Sequence, residues 1–276
     1  MMQKRDNMNS ENELLVVSFG TTSAESRRLN IESVEQAIQE IAGESWKVCR
    51  CFTSQTIINI IAGKEGCRID NIAEALERAA AAGVKNLVVQ PTHLMKGLEY
   101  DKLCCILAKY SGSFARVAIG DPLFTSDEDY YRVADAIIEA SIEYEDSGTA
   151  LVFMGHGTEA AANGIYEKLQ SVLNCKGKDD YYIGTVEATP SLNDVIRAVG
   201  EGSYKRVVLR PLMLVAGNHA VNDMASTMDP DSWYSRFCAD GYETVCIIEG
   251  LGQISAVRDI YADHAYKAIA SLEIQL

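Results

Sequence analysis

The chain has 276 residues, 47% of them hydrophobic and 23% charged, which is ample for a large core in one or two globular units. Its formal net charge of −14 argues against nucleic acid as a partner, since phosphate backbones are held by clustered Lys and Arg. No apolar run reaches the roughly 18 residues of a membrane span, and the polar start from Met1 to Glu13 lacks a signal-peptide core, so a cytoplasmic protein with no membrane partner is expected.

In chain order, apolar β-branched runs alternate with helical periodicities. Strands are predicted over 14–19, 46–51, 85–90, 114–119, 149–155, 180–186, 205–210 and 243–248. Helices are predicted over 23–42, 54–62, 69–82, 98–110, 127–145, 158–174, 190–199, 219–226, 231–239 and 253–272. Thr189 and Pro190 are a suitable cap and first-turn pair for the helix that starts there. Such alternation means parallel sheets with helices on both faces, so the fold class is α/β, with two doubly wound lobes and a cleft between them. The polar break Asp146-Ser147-Gly148 sets the boundary: a polar segment 1–13, a first lobe 14–147 and a second lobe 148–276. The eight cysteines include no Cys-x-x-Cys pair and are expected as free thiols, mostly small buried hydrophobes.

The two halves repeat each other. Leu14-Leu15-Val16-Val17-Ser18-Phe19-Gly20-Thr21 is echoed by Ala150-Leu151-Val152-Phe153-Met154-Gly155-His156-Gly157-Thr158, each stopping at Gly-Thr, which pairs Phe19 with His156. Likewise Leu87-Val88-Val89-Gln90-Pro91 running to Glu99 is echoed by Val207-Val208-Leu209-Arg210-Pro211 running to His219, which pairs Glu99 with His219. If the lobes pack about a pseudo-twofold, these side chains face one cleft, with ligands coming mainly from the second half.

Ligands of open parallel sheets bind beyond the carboxyl ends of the strands. His156, Glu187, His219 and Glu99 all follow strands there. Glycines on both sides of His156 let the backbone turn tightly and a partner approach closely. His264, on a long helix, reads as a structural histidine, and His93 as a structural or supporting one, because its counterpart in the second half is Met213. Gly20-Thr21-Thr22-Ser23 fits either an anion-binding helix start or an ordinary turn capped by Thr22 or Ser23. Dinucleotide, P-loop, His-Glu-x-x-His and Gly-x-Ser-x-Gly patterns are all missing from the sequence.

The runs quoted above, with Phe52-Thr53-Ser54, Gly184-Thr185-Val186-Glu187, the stretch from Pro211 through Gly217-Asn218-His219-Ala220-Val221-Asn222-Asp223-Met224-Ala225, and Asp231-Ser232-Trp233, resemble the sirohydrochlorin cobaltochelatase family of CbiK type. The resemblance spans the chain after about residue 13. It implies a class II chelatase of the ferrochelatase-like superfamily that inserts Co²⁺ into sirohydrochlorin, without ATP, in anaerobic cobalamin biosynthesis. It implies His156, Glu187 and His219 as metal ligands, with His156, His219 and Glu99 as the catalytic groups. No cofactor is implied beyond the divalent metal substrate. Leu98 departs from relatives that carry an acidic residue before the position of Glu99.

The chemistry agrees with these residue types. Metal insertion requires the ion to lose water, the macrocycle to bend and two pyrrolic protons to leave. Imidazole suits Co²⁺, Ni²⁺ and Fe²⁺ and also accepts protons near neutral pH. Glu187 would balance the ion's charge and Glu99 would relay protons. The expected partners are the polycarboxylate sirohydrochlorin and Co²⁺, and Arg27, Arg28, Lys96 and Arg210 are the candidate cations for its carboxylates. Ligand identity does not choose between Co²⁺, Fe²⁺ and Ni²⁺, and a non-catalytic tetrapyrrole or metal carrier stays open. So does oligomeric state, a homo-oligomer included.

Overall fold

The structure, a computed structural model, describes residues 11–273. Residues 1–10 of the expected polar segment lie outside it, and Asn12 and Glu13 already belong to the first strand. The elements are β1 (Asn12–Ser18), α1 (Ala24–Ser26), α2 (Ser33–Ala42), β2 (Lys47–Phe52), α3 (Gln55–Glu65), α4 (Ile72–Ala81), β3 (Asn86–Pro91), α5 (Leu98–Tyr110), β4 (Arg116–Ile119) and α6 (Asp127–Glu139). They continue with β5 (Thr149–Gly155), α7 (Gly164–Cys175), β6 (Tyr181–Thr185), α8 (Leu192–Gly200), β7 (Arg206–Pro211), α9 (Trp233–Ala239), β8 (Glu243–Cys246) and α10 (Ser255–Glu273).

The strands form two parallel four-stranded sheets of matching order, β2-β1-β3-β4 and β6-β5-β7-β8. Their registers match as well. Val17 lies opposite Pro91 in the first sheet and Met154 opposite Pro211 in the second. Ser18 pairs with Phe52 as Gly155 pairs with Thr185. The equivalence of Phe19 with His156 therefore holds at the level of strand pairing, and so does that of Pro91 with Pro211, the residues from which the chain runs on to Glu99 and His219. It adds a pair not foreseen from sequence: Ser54, the cap of α3, occupies the position of Glu187.

Alternate residues of each central strand feed different cores, as the two-residue period of a strand requires. Leu15 and Val17 of β1 pack with Leu76 and Leu103 on one face. Val152 and Met154 of β5 pack with Val195 and Phe237. Leu14 and Val16 share a third cluster with Leu151 and Phe153, so one apolar core runs from sheet to sheet. Each such side chain contributes about 1.5–3 kcal/mol on burial, and this shared layer holds the lobes together. The last helix crosses back: α10 packs on α2, α6, β3 and β4, so the second half of the chain supplies a covering helix to the first sheet.

Several local expectations change. The helix over 23–42 is interrupted by a π-helical segment, Arg27–Glu32, and the one over 219–226 is a π-helical segment, Ala220–Met224. The helix over 127–145 ends at Glu139 and is followed by a 3₁₀ turn, Ile142–Tyr144. The cap of α8 is Ser191 rather than Thr189, because Ser191 and Asp194 satisfy each other's backbone N–H groups reciprocally. All eight cysteines are free, but only Cys51 is fully buried, and Cys67, Cys105, Cys175 and Cys238 are exposed where helices and loops turn to solvent. No helix among the described residues is long and apolar enough to cross a membrane.

Candidate metal centre

His156 directly follows β5, and its two glycines are needed for different reasons. A Cβ on Gly155 would stand 2.2 Å from the Tyr166 ring, whose hydroxyl accepts the Gly157 N–H at 3.2 Å. Gly157 has φ +87°, and a Cβ there would meet Thr185 and Ala188 at 2.9 Å. This tight crossing brings the end of β6 against β5. The ladder continues past the strands, with Val186 N–H donating to the Gly155 carbonyl at 3.0 Å and Glu187 N–H to the His156 carbonyl at 2.9 Å. Glu187 is thus carried to the side of His156, with its carboxylate Oε2 3.6 Å from Nδ1 of the imidazole.

His219 arrives from the loop after β7, at the start of the π-helical segment. Its ring lies 4.7 Å from that of His156, centroid to centroid, at 85°. Candidate ligand atoms of His156, Glu187 and His219 all lie within 4.8 Å of one another, close enough to converge on one ion. Nδ1 of His219 is 2.6 Å from Oδ2 of Asp223, so Nδ1–H donates to the carboxylate and Nε2 keeps its lone pair. Nδ1 of His156 lies 3.0 Å from the Gly157 carbonyl, which can only accept, and this also leaves Nε2 free. Two imidazoles and one carboxylate, all partly exposed, make an open site rather than the closed four-ligand cage that retains a structural metal.

The three residues open onto a cavity of about 940 Å³ that both lobes line. The first lobe supplies an apolar wall from Phe19, Ile57, Ile60 and Leu98, together with the carboxylate of Glu99. Glu99 therefore shares the cavity but stands outside the three-residue cluster. Burial pushes its carboxyl up, yet the hydrogen bond and charge of Lys102 outweigh this and leave it below the ordinary carboxylate value. Lys102 Nζ lies 2.6 Å from the Glu99 carboxylate.

None of the four proposed cations lines the cavity. Arg27 is paired with Glu65 at 2.6 Å, Arg210 is buried against Glu249 at 2.9 Å, and Lys96 meets Asp121 at 2.8 Å. Arg28 points to solvent away from the cavity lining. Proximity in sequence to a strand end misled, because Arg27, Lys96 and Arg210 are used in ion pairs and Arg28 is left on the surface; among the described residues, the Lys or Arg side chain that lines the cavity is Lys102. His264 is buried between the Asp121 carbonyl at 3.1 Å and the Asp129 carboxylate at 3.0 Å, a structural role. Ser23 caps α1, and the Gly20-Thr21-Thr22 turn before it lines the cavity. Sequence reasoning gave no role to Asp223, Tyr166 or Lys102. The four-residue spacing of His219 and Asp223 was a readable signal, since it stacks side chains on one face of a helical turn.

The cobalt chelatase (CbiK) family profile matches residues 12–270. A protein named sirohydrochlorin cobaltochelatase from Salmonella typhimurium is 33% identical over 256 residues, covering 93% of this chain and 96% of its own. Sirohydrochlorin cobaltochelatase CbiKC from Nitratidesulfovibrio vulgaris is 30% identical over 208 residues, covering 75% of this chain and 73% of its own. Among solved structures, SirB from Bacillus subtilis with Fe³⁺ superposes with a TM-score of 0.61 over 96% of this chain and 98% of that one; at 13% identity this likeness concerns the fold. With the match running from the first described strand to the last helix, this chain belongs to the CbiK family of cobalt chelatases.

Proposed function

We propose that this chain inserts Co²⁺ into sirohydrochlorin, using neither ATP nor a resident cofactor, with His156, Glu187 and His219 presenting the metal. The observation that carries the reading is the convergence of two imidazoles and one carboxylate at the wall of a cavity large enough for a flat macrocycle. The ion exchanges part of its water for Nε2 of each histidine and a Glu187 oxygen. Its remaining positions stay open for pyrrole nitrogens, so the metal passes on rather than staying. Phe19, Ile57, Ile60 and Leu98 give the ring an apolar face to pack against, while its carboxylates extend toward the open mouth and solvent. Glu99, held ionised by Lys102, gives protons leaving the pyrroles a path out.

An anaerobic assay of sirohydrochlorin absorbance under multiple turnover, with Co²⁺, Fe²⁺ and Ni²⁺ in turn and no nucleotide, tests this. Repeated insertion of Co²⁺, lost in His156→Ala and His219→Ala proteins that still melt like wild type, is expected. Stoichiometric binding without turnover would replace the enzyme by a carrier, and a clear preference for Fe²⁺ or Ni²⁺ would replace cobalt.

A further inference from the structure

His93 is the fourth imidazole of the chain and the second-lobe triad does not use it. It sits in the loop after β3 and lines the same cavity as the triad, from the first lobe. Its main chain is fixed: the carbonyl accepts the Leu123 N–H at 3.0 Å and the Tyr261 hydroxyl at 3.3 Å. Its side chain is not. Both ring nitrogens are sealed from solvent and neither has a hydrogen-bond partner. A buried polar group left in this way costs about 1–3 kcal/mol each, and a histidine kept only for packing would be replaced at no loss by an apolar residue. The equivalent residue of the second half is such a one, Met213. With no hydrogen bond to break, a half-turn about χ2 exchanges the carbon and nitrogen edges of the ring and offers a nitrogen to whatever fills the cavity.

Burial pushes the His93 imidazole down to about 4, against the opposing pull of the Glu99 carboxylate. The ring is therefore neutral at working pH and carries a free lone pair. Close enough to feel it is the one ionised carboxylate on this wall, Glu99, itself tied to Lys102. The wall facing the metal ligands thus holds an acceptor without a donor, next to an exit for charge.

We propose that His93 accepts one of the two pyrrolic protons during metal insertion and hands it to Glu99, an assignment that rests on the chelatase reading above. The pyrrole N–H bond breaks and its electron pair stays on the ring nitrogen to form the bond to the metal. A new N–H bond forms on the imidazole, and the imidazolium's other N–H gives its proton to the Glu99 carboxylate, which releases it to water. Metal–nitrogen bond formation drives the transfer, so a weakly basic imidazole suffices. His93 works on the face of the macrocycle turned away from the triad, where the protons leave without crossing the incoming ion.

The test compares His93→Asn, His93→Phe and His93→Ala with wild type under multiple turnover. Binding of Co²⁺ alone is followed by its visible absorption, and turnover is measured in H₂O and D₂O. The expected result is a loss of kcat by about 10²-fold or more in all three variants, unchanged affinity for Co²⁺ alone, and partial rescue of His93→Ala by added imidazole. His93→Phe fills the same space with an apolar ring, so it reports on chemistry even where the alanine variant folds poorly. Turnover within threefold of wild type in His93→Asn or His93→Phe would overturn the assignment, and so would a loss of Co²⁺ binding in parallel with kcat. Failure of the wild-type protein to turn over would instead overturn the chelatase reading itself, before any His93 variant is compared.

Discussion

Asp223 holds His219 from four residues away, carboxylate Oδ2 to imidazole Nδ1 at 2.6 Å. The contact fixes which nitrogen carries the hydrogen, which way the ring faces, and how strongly Nε2 donates to an ion. It is made on a π-helical segment, Ala220–Met224, and the partner is a residue with no other described role in the site. Supporting carboxylates of this kind are worth roughly 10–100-fold in metal affinity. Asp223→Ala is therefore expected to weaken Co²⁺ binding by about that factor with little change in melting temperature, since both side chains are partly exposed. Asp223→Asn should weaken it less, because the amide oxygen still accepts the Nδ1 hydrogen. Titration of Co²⁺ alone into each variant measures the effect.

A second expectation concerns Gly157, at φ +87° with Thr185 and Ala188 2.9 Å from where a Cβ would stand. Gly157→Ala must both strain the backbone, by about 1–2 kcal/mol, and push β6 away from β5. Glu187, whose N–H reaches the His156 carbonyl at 2.9 Å, moves with it. The variant should lose metal affinity and activity together, with a lowered melting temperature. Gly164→Ala, where a Cβ meets nothing within 4 Å, is the control that should change neither.

His93, half-buried with both ring nitrogens sealed, makes a prediction about pH. Its folded value lies near 4 against an ordinary 6.5, so between these values the unfolded chain binds a proton that the folded chain does not. Stability is then complete above the unfolded value and falls as pH drops. The loss is about 2 kcal/mol by pH 5 and about 3 kcal/mol near pH 4. Denaturant melts at pH 7.5, 6 and 5 should show this slope in wild type, and His93→Phe should flatten it. Equal slopes in the two proteins would mean that the imidazole is not sealed as the structure has it.

How much of this was legible beforehand depends on how local each signal is. The parallel α/β class and four strands per half follow from alternating apolar and helical periods, and the strand registers carry the repeat that pairs Phe19 with His156 and Pro91 with Pro211. The histidine between two glycines at a strand end marked a crowded crossing, and Tyr166 and Thr185 are what crowd it. Features made by distant segments were not legible. The return of α10 to the first sheet is decided by which apolar face is left uncovered, not by anything within 253–272. Arg27 and Arg210 lie near strand ends in sequence, yet both are consumed by ion pairs with Glu65 and Glu249. Nothing in the residues around His93 announces that both its nitrogens lack partners, because that depends on what the other elements fail to offer.

His156, Glu187 and His219 are expected to share one ion at the cavity wall. A crystal soaked anaerobically in Co²⁺, with the metal located by its anomalous scattering, tests it most directly. A single strong peak is expected, bonded to Nε2 of both histidines at about 2.1 Å and to a Glu187 oxygen, with at least one coordination position open toward the cavity. Cobalt bound elsewhere, or by only one of these histidines with the other turned away, would contradict it.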